Sequence, residues 1–447
     1  VAFRGEGRYV ARLAPRRDVE GRTPRFVADG TYLVTGGLGG LGLIVAEWAA
    51  RQGAGQLVLT GRRGLPPRDR WANLPNDSDA ARQVAAIRMM EARGTRVEAI
   101  SADVSNPEQM AALFSRFGKS LPPLRGIFHC AAVIEPRLLS AIDIESLTAT
   151  LRPKLLGTWV LHHLTKEVDI DFLILFSSTT SLLGSTQLGH YAAANQFLDT
   201  FAHYRRNLGL PALSVNWGVW ERMRLFSPVE QEATKRFGLK AMPAEKALEA
   251  LGAVLGEDVC QITIASVDWR TLKPAYEARR ARPFLKRVSE RLPSEKTQPP
   301  RKRNPIIERI RLAPRRDQRE LLMSYIREEV GMVLGIDSLQ HIDPRQGFFE
   351  MGMDSLTSVE LRARLEADLG KSLPKTLTFN YPNVEALTEY VAVQVLSFDD
   401  YSTSPIVLQG EREESQEPRM DVEHCSEDEL VAMLADKLKR TSEESET

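Results

Sequence analysis

Cysteine is scarce in this chain. Cys130, Cys260 and Cys425 are the only three in 447 residues, and they lie far apart. That spacing suits neither a disulfide framework nor a zinc site, and it fits a reducing cytoplasm. The seven histidines show no metal-ligand spacing, and the pair His162–His163 reads as helix surface; no metal is expected. An excess of one charge is also missing. The 59 basic and 59 acidic side chains give a formal net charge of zero, which argues against a general nucleic-acid or membrane-surface partner. No apolar run is long enough to span a bilayer, no signal-peptide pattern opens the chain, and no internal repeat is visible. The first residue is Val1 rather than Met, which reads as a piece of a longer polypeptide.

What is present is a globular composition, 43% hydrophobic and 26% charged, on a length that suits two or three domains. Residues 1–28 are arginine-rich and short of apolar content. From about Asp29, strand and helix patterns alternate. "TYLVTGG" reads as a buried strand, "LIVAEWAARQG" as a helix ending at Gly53, and "QLVLTGR", "VEAISADV", "GIFHCAAV", "FLILFSS" and "ALSVNWG" as further strands. This alternation predicts an α/β doubly wound parallel sheet of Rossmann-like class. The pattern fades near Val288, and "RLPSEKTQPPRKRNP" predicts a flexible linker over 289–316. Asp317 and Glu320 then form a capping-box-like start, followed by Leu322, Ile326, Val330 and Val333 at helical spacing. A small all-α domain is expected over 317–395. From Glu411 the tail holds 13 acids against 5 bases, and Ser426 with Glu429 opens an amphipathic segment over 426–440. That segment is either a docking helix for another subunit or a solvated, partly helical tail.

The glycine run "TGGLGGLG", Thr35 to Gly42, contains G-x-G-x-x-G at Gly37, Gly39 and Gly42, with Gly40 and Leu41 between. It follows a strand and opens a helix, the context in which bare backbone can approach a pyrophosphate. Twenty residues past Gly42 stands Arg62, then Arg63, where a cofactor with a free ribose hydroxyl would favour an acid. Two arginines suit a 2′-phosphate, hence NADPH; the alternative is two solvated surface charges.

Tyr191, in "GHYAAANQF", has Asn195 four positions on, where Tyr-x-x-x-Lys would mark a carbonyl reductase. A free phenol has a pKa of about 10, and a nearby cation is needed to make it a usable acid near neutrality. Asn195 supplies no charge. Between Lys119 and Lys166 the one lysine is Lys154, on a helix just before "FLILFSS". Neighbouring parallel strands end at the same crevice, so Lys154 can reach it. Ser178 closes that strand thirteen residues before Tyr191 and offers a hydroxyl to a substrate carbonyl. Taken singly, Tyr191 could be a half-buried helix residue, Lys154 a surface charge and Ser178 a strand-end turn. His129 reads as a packed strand residue.

On "TGGLGGLG", "GRRG", "HCAAV", "LRPKLLGTW", "FSS", "GHYAAANQFLD" and "VNWGVW", residues 29–288 resemble the ketoreductase domain of a modular (type I) polyketide synthase, in the short-chain dehydrogenase/reductase superfamily. In that family lysine and asparagine exchange places relative to the wider superfamily, matching Lys154 and Asn195. The resemblance implies Tyr191 as general acid and Ser178 as the residue orienting the carbonyl. It implies Lys154 as the cation that tunes Tyr191 and holds the nicotinamide ribose, and Asn195 as support for proton relay. Asp103 matches the family's adenine contact, though a helix cap or turn aspartate reads as well. The chain departs from the family at Ile134, Glu135 and Pro136, where a leucine–aspartate–aspartate triplet often stands, and at Leu183, where a tryptophan marks the opposite product configuration. Residues 1–28 are similar to the last strands of the family's upstream structural half.

Residues 317–395, through "FFEMGMDSLTSVELRARLEADLG" and "TLTFNYPNVEALTEYV", resemble the four-helix acyl carrier domain of the same synthases. Ser355 would carry 4′-phosphopantetheine and Asp354 would assist the modifying enzyme; on the motif alone, either residue could simply be a helix N-cap. Together the resemblances imply reduction of a carrier-bound β-ketoacyl thioester to a β-hydroxyacyl thioester by NADPH, within secondary-metabolite biosynthesis. The implied partners are other domains and subunits of the synthase, a phosphopantetheinyl transferase and the acyl thioester, with no nucleic acid and no membrane. The alternatives are an inactive reductase scaffold beside a working carrier, or a free-standing short-chain ketone reductase.

Overall fold

Strands buried on both faces read as unbroken apolar runs, because neither face meets water. Thr31–Thr35 (β3), Gln56–Gly61 (β4) and Leu213–Trp217 (β8) are such strands, buried at nearly every residue. The structure is a computed structural model that describes residues 2–5, 7–16, 26–185, 187–221, 238–277, 282–289, 305–334, 336, 342–353 and 355–398.

With Arg96–Ser101 (β5), Leu124–His129 (β6), Phe172–Ser178 (β7) and the edge strand Gln261–Ile264, these make a seven-stranded sheet. Its order is Gln261–Ile264, β8, β7, β6, β3, β4, β5, with every pairing parallel. This is the expected doubly wound sheet. The edge strand is not among the strands the sequence pattern predicts: "QITI" is a short, half-polar segment without the long apolar run of the central strands. Upstream, Ala2–Arg4 (β1) and Gly7–Tyr9 (β2) form an antiparallel hairpin.

Side chains alternate across each strand, so the sheet divides its core in two. Tyr32, Val34 and Phe128 join one layer with Trp48 of helix Gly40–Arg51 (α1). Leu33, Ile127, Leu173 and Leu175 join the other with Leu161 of helix Ile144–Thr165 (α4) and Leu198 of helix Gly189–Asn207 (α6). Helix α1 stops where expected, because Gly53 takes φ +95°, a left-handed conformation that costs glycine nothing. Helix α4 is started by Asp143, whose carboxylate accepts from Ser146 N at 2.7 Å. Of the histidine pair read as helix surface, only His163 is exposed. His162 is buried, with Nδ1 3.1 Å from the Arg205 guanidinium, because α6 packs over that face of α4.

Helix Pro305–Leu312 falls inside the stretch expected as linker, and Arg315–Leu334 begins before Asp317. Pro314 ends the first helix and accepts Asp317 N at 2.8 Å, so Asp317 lies in the first turn and not at the cap. Gln318 instead donates to the Ala313 carbonyl at 3.0 Å, closing the preceding helix. Leu322, Ile326 and Val330 are buried as the spacing predicts, in a helical region with Leu361 and Leu365 of Ser355–Leu369 and Leu387 of Val384–Tyr390. A second unit starts at Val391, and Val391–Val395 form a π-helical turn. Asp354, residues 17–25, the centre of the linker and the 426–440 segment lie outside the described residues.

Candidate functional site

Strand order reverses between β3 and β6, and the loops that follow them diverge. A cleft of about 1730 Å³ opens at those strand ends. Gly39–Gly42, Arg62, Asp103, Lys154, Ser178 and Tyr191, six separate segments of chain, all line it.

The glycine loop is shaped by steric necessity. Gly36 has φ +67°, and a Cβ there would sit 2.9 Å from the Ala131 backbone. A Cβ on Gly42 would run into the Gly36 carbonyl, so α1 could not approach the loop. At Gly40 an added Cβ meets nothing within 4 Å, since that residue faces the open cleft. The cap of α1 is Gly39, with no side-chain bond and no acid in the first turn, so its free N–H groups and positive dipole end remain for an anion. The Thr60 hydroxyl, also in the lining, is buried without a partner among the described residues. Bare N–H groups beside an unsatisfied hydroxyl fit a phosphate-bearing dinucleotide. Gly37 packs on Leu59, and Thr35 is buried and not part of the cleft lining, its hydroxyl 2.7 Å from His129 Nδ1. Sequence reasoning missed Gly36: the G-x-G-x-x-G pattern starts one residue later, and only the backbone angle reveals the need.

Arg62 is exposed at the cleft wall, and Arg63 follows it at the surface. Burial raises the Asp103 carboxyl, but two bonds from Ser105 and the Arg152 and Arg62 charges outweigh it, and the group stays below its ordinary value. Arg152, on α4 just before Lys154, also lines the cleft and donates to Ser105 Oγ at 2.9 Å. It is not among the sequence candidates; an arginine on a mixed helix carries no motif.

Lys154 and Tyr191 do meet. The Lys154 ammonium lies 5.5 Å from the centroid of the Tyr191 ring. It donates to the Phe176 carbonyl at 2.7 Å, and no hydrogen bond joins it to the phenol. Lys154 is fully buried, and burial pulls its pKa down to about 8, against the opposing pull of Cys130 and Asp199. Burial likewise pushes the Tyr191 phenol up to about 12, with Asn195 opposing. Asn195 donates to the Tyr191 carbonyl at 2.8 Å, and its own Oδ1 is buried without a partner among the described residues. Ser178 Oγ accepts from Thr180 N at 3.2 Å, so its own proton stays uncommitted among the described residues. His129 is buried and neutral, pushed down to about 3 by burial and by the Lys154 charge. Burial pushes the Cys130 thiol up.

A cation, a phenol and a hydroxyl with a free proton thus share one wall of a cleft whose other wall suits a dinucleotide. The arrangement can deliver a proton to an oxygen that becomes negative.

Ser355 is the first residue of its helix. No helix among the described residues is long and apolar enough to cross a membrane, and no cluster of metal-ligating side chains occurs among them.

Comparison with known proteins matches residues 30–222 to the KR domain family and residues 324–391 to the phosphopantetheine attachment site family. A phenolphthiocerol/phthiocerol polyketide synthase of Mycobacterium bovis is 34% identical over 445 residues, 99% of this chain and 27% of that protein. Polyketide synthase GfsA of Streptomyces halstedii is 37% identical over 400 residues, 89% of this chain and 5% of that protein. The chain therefore spans roughly a quarter or less of these relatives. Among solved structures, A-type ketoreductases from a modular polyketide synthase superpose with a TM-score of 0.55 at 37% identity, over 63% of this chain and 56% of theirs. The first ketoreductase of the tylosin synthase gives 0.54 at 31%, over 63% and 59%.

Proposed function

From a chain that belongs to the polyketide synthases, carrying their KR domain and their phosphopantetheine-attachment domain, we propose an NADPH-dependent reductase of carrier-bound β-ketoacyl thioesters. The observation that carries the reading is the meeting of Lys154 and Tyr191, 37 residues apart in sequence, in the cleft that the glycine loop also lines. The nicotinamide cofactor supplies a hydride when bound. The free N–H groups of α1 and the Thr60 hydroxyl would hold its phosphates, and Arg62 the 2′-phosphate.

The protein's own part is the proton. Ser178 donates its uncommitted O–H to the carbonyl oxygen and holds it in place. Tyr191 transfers a proton to that oxygen as it gains charge. A phenol held near 12 would not give up its proton easily alone. The Lys154 ammonium, with donors left beyond its bond to Phe176, stabilises the phenolate that remains. Asn195, with a free carbonyl oxygen under the tyrosine, can accept from a water that restores the proton.

The test is loss of NADPH absorbance with a β-ketoacyl thioester surrogate. Tyr191→Phe should lower kcat by about 10²–10⁴-fold and leave NADPH affinity unchanged. Near-normal turnover in that variant removes Tyr191 as proton donor, and equal affinity for NADH removes the role given to Arg62. The carrier reading adds that Ser355 bears the phosphopantetheine arm, and that the reducible thioester arrives on it or on another carrier of the synthase.

A further inference from the structure

We propose that Asp199 is a positioning residue of this site: a buried carboxylate that ties the strand end bearing Ser178 to the helix bearing Tyr191 and supplies the negative charge opposing Lys154. The inference rests on the reductase reading above. Tyr191, Asn195 and Asp199 follow at intervals of four along α6, forming one buried stripe. Asp199 is 1% exposed, as is Lys154.

Its carboxylate takes three neutral donors. Oδ1 accepts from Ser214 Oγ of β8 at 2.6 Å. Oδ2 accepts from Ser181 Oγ at 2.7 Å and from Asn216 Nδ2 of β8 at 2.8 Å. Ser181 Oγ also lies 2.8 Å from the Ser178 carbonyl. Asn216 Nδ2 lies 3.1 Å from Ser177 Oγ, which is 3.3 Å from the Asn195 carbonyl. The acceptor-only carboxylate fixes which end of the Asn216 amide faces it, and Asn216 Oδ1 accepts from Gln261 Nε2 at 3.0 Å on the other side. The end of β7, the start of the turn after it, β8 and the middle of α6 therefore converge on one side chain.

Among the described residues no cation comes within ion-pair distance of Asp199. A buried carboxylate without a counter-charge is costly, and hydrogen bonds from neutral groups offset only part of it. The groups facing Lys154 are His129 at the end of β6, Cys130 just after it, and Tyr191 and Asp199 from α6. His129 is neutral and the Cys130 thiol is pushed up, so Asp199 is the anion among them. Its charge favours the ammonium form of Lys154. In Asp199→Asn that charge goes, and an amide N–H is forced against donors.

The experiment follows the Lys154 ammonium by 15N NMR in lysine-labelled full chain, the signal assigned by its loss in Lys154→Met. It is paired with the pH profile of NADPH oxidation on the thioester surrogate. Asp199→Asn should lower the Lys154 midpoint and the alkaline limb of kcat together by roughly one pH unit. At neutral pH kcat should fall at least about tenfold while KM and NADPH affinity stay within about twofold. A purely structural residue would move neither midpoint, so wild-type titration in Asp199→Asn overturns the proposal. Should that variant fail to fold, Asp199→Ser, which also removes the charge but keeps a small polar group among these donors, carries the same test, with a lowered Lys154 midpoint supporting the proposal and wild-type titration overturning it. If the wild-type chain itself oxidises no NADPH, the reductase reading fails, while the titration still decides whether Asp199 opposes Lys154.

Discussion

Lys154 shows how much a single buried side chain can decide. Its ammonium persists near neutrality but is lost above about pH 8. Reduction is therefore expected to hold steady on the acid side of that value and to fall about tenfold for each further unit of pH, measured as initial NADPH oxidation. For stability the sign is opposite. Between the folded value and 10.5 the unfolded chain binds more protons, so this site adds stability as pH rises through that window, and Lys154→Met should remove the rise. His129 acts at the other end of the scale. It stays neutral in the fold down to about pH 3 but would protonate near 6.5 when unfolded. Its contribution is present above 6.5 and is lost as pH falls towards 3. Urea denaturation at pH 5 and pH 7.5 should show a larger acid loss in the wild type than in His129→Gln. Both groups were visible in the sequence, but their titration depends on burial, which no single residue announces.

At the scale of elements, the turn between β3 and α1 carries the cofactor reading. Gly36→Ala would place a Cβ in a left-handed backbone and against Ala131. The expected cost is about 1–3 kcal/mol of stability or of loop geometry, read as a lower thermal midpoint and weaker NADPH binding by fluorescence titration. Gly40→Ala meets open space and should leave stability within about 0.5 kcal/mol. The run of glycines was plain in the sequence. Which of them the fold cannot replace was not, because that depends on strands β4 and β6 closing around the turn. The strand patterns of β3, β4, β6, β7 and β8 were legible for a simple reason: strands buried on both faces must be apolar throughout; β5, at the sheet edge and mostly half-buried or exposed, is not of that kind. Gln261–Ile264 escaped because it is only four residues long and half polar, and Pro305–Leu312 because a short helix can hide within a basic, proline-flanked stretch.

For the whole molecule, the two family matches describe a reductive domain followed by a carrier domain, joined in one chain that is a fraction of its relatives' length. The carrier reading is tested by mass. Incubation with coenzyme A and a phosphopantetheinyl transferase should add one phosphopantetheine, and Ser355→Ala should abolish the gain. A gain that survives that substitution would assign the arm elsewhere. NADPH oxidation on a free thioester surrogate should be the same in Ser355→Ala as in the wild type, since the reductive cleft draws no residue from the carrier helices.

The sequence by itself determined the layered α/β fold, the helical region after it, the glycine turn and the identities of the lysine, phenol and serine. Periodicity, backbone freedom and side-chain chemistry are local properties, and local properties are written in residue order. Tertiary structure alone decided that Lys154 comes to the Tyr191 ring while bonding the Phe176 carbonyl, that His162 is covered, and that Asp199 gathers three elements at one carboxylate. Those outcomes depend on distance and burial between segments far apart in the chain, which are fixed only when α4 and α6 pack against one face of the sheet.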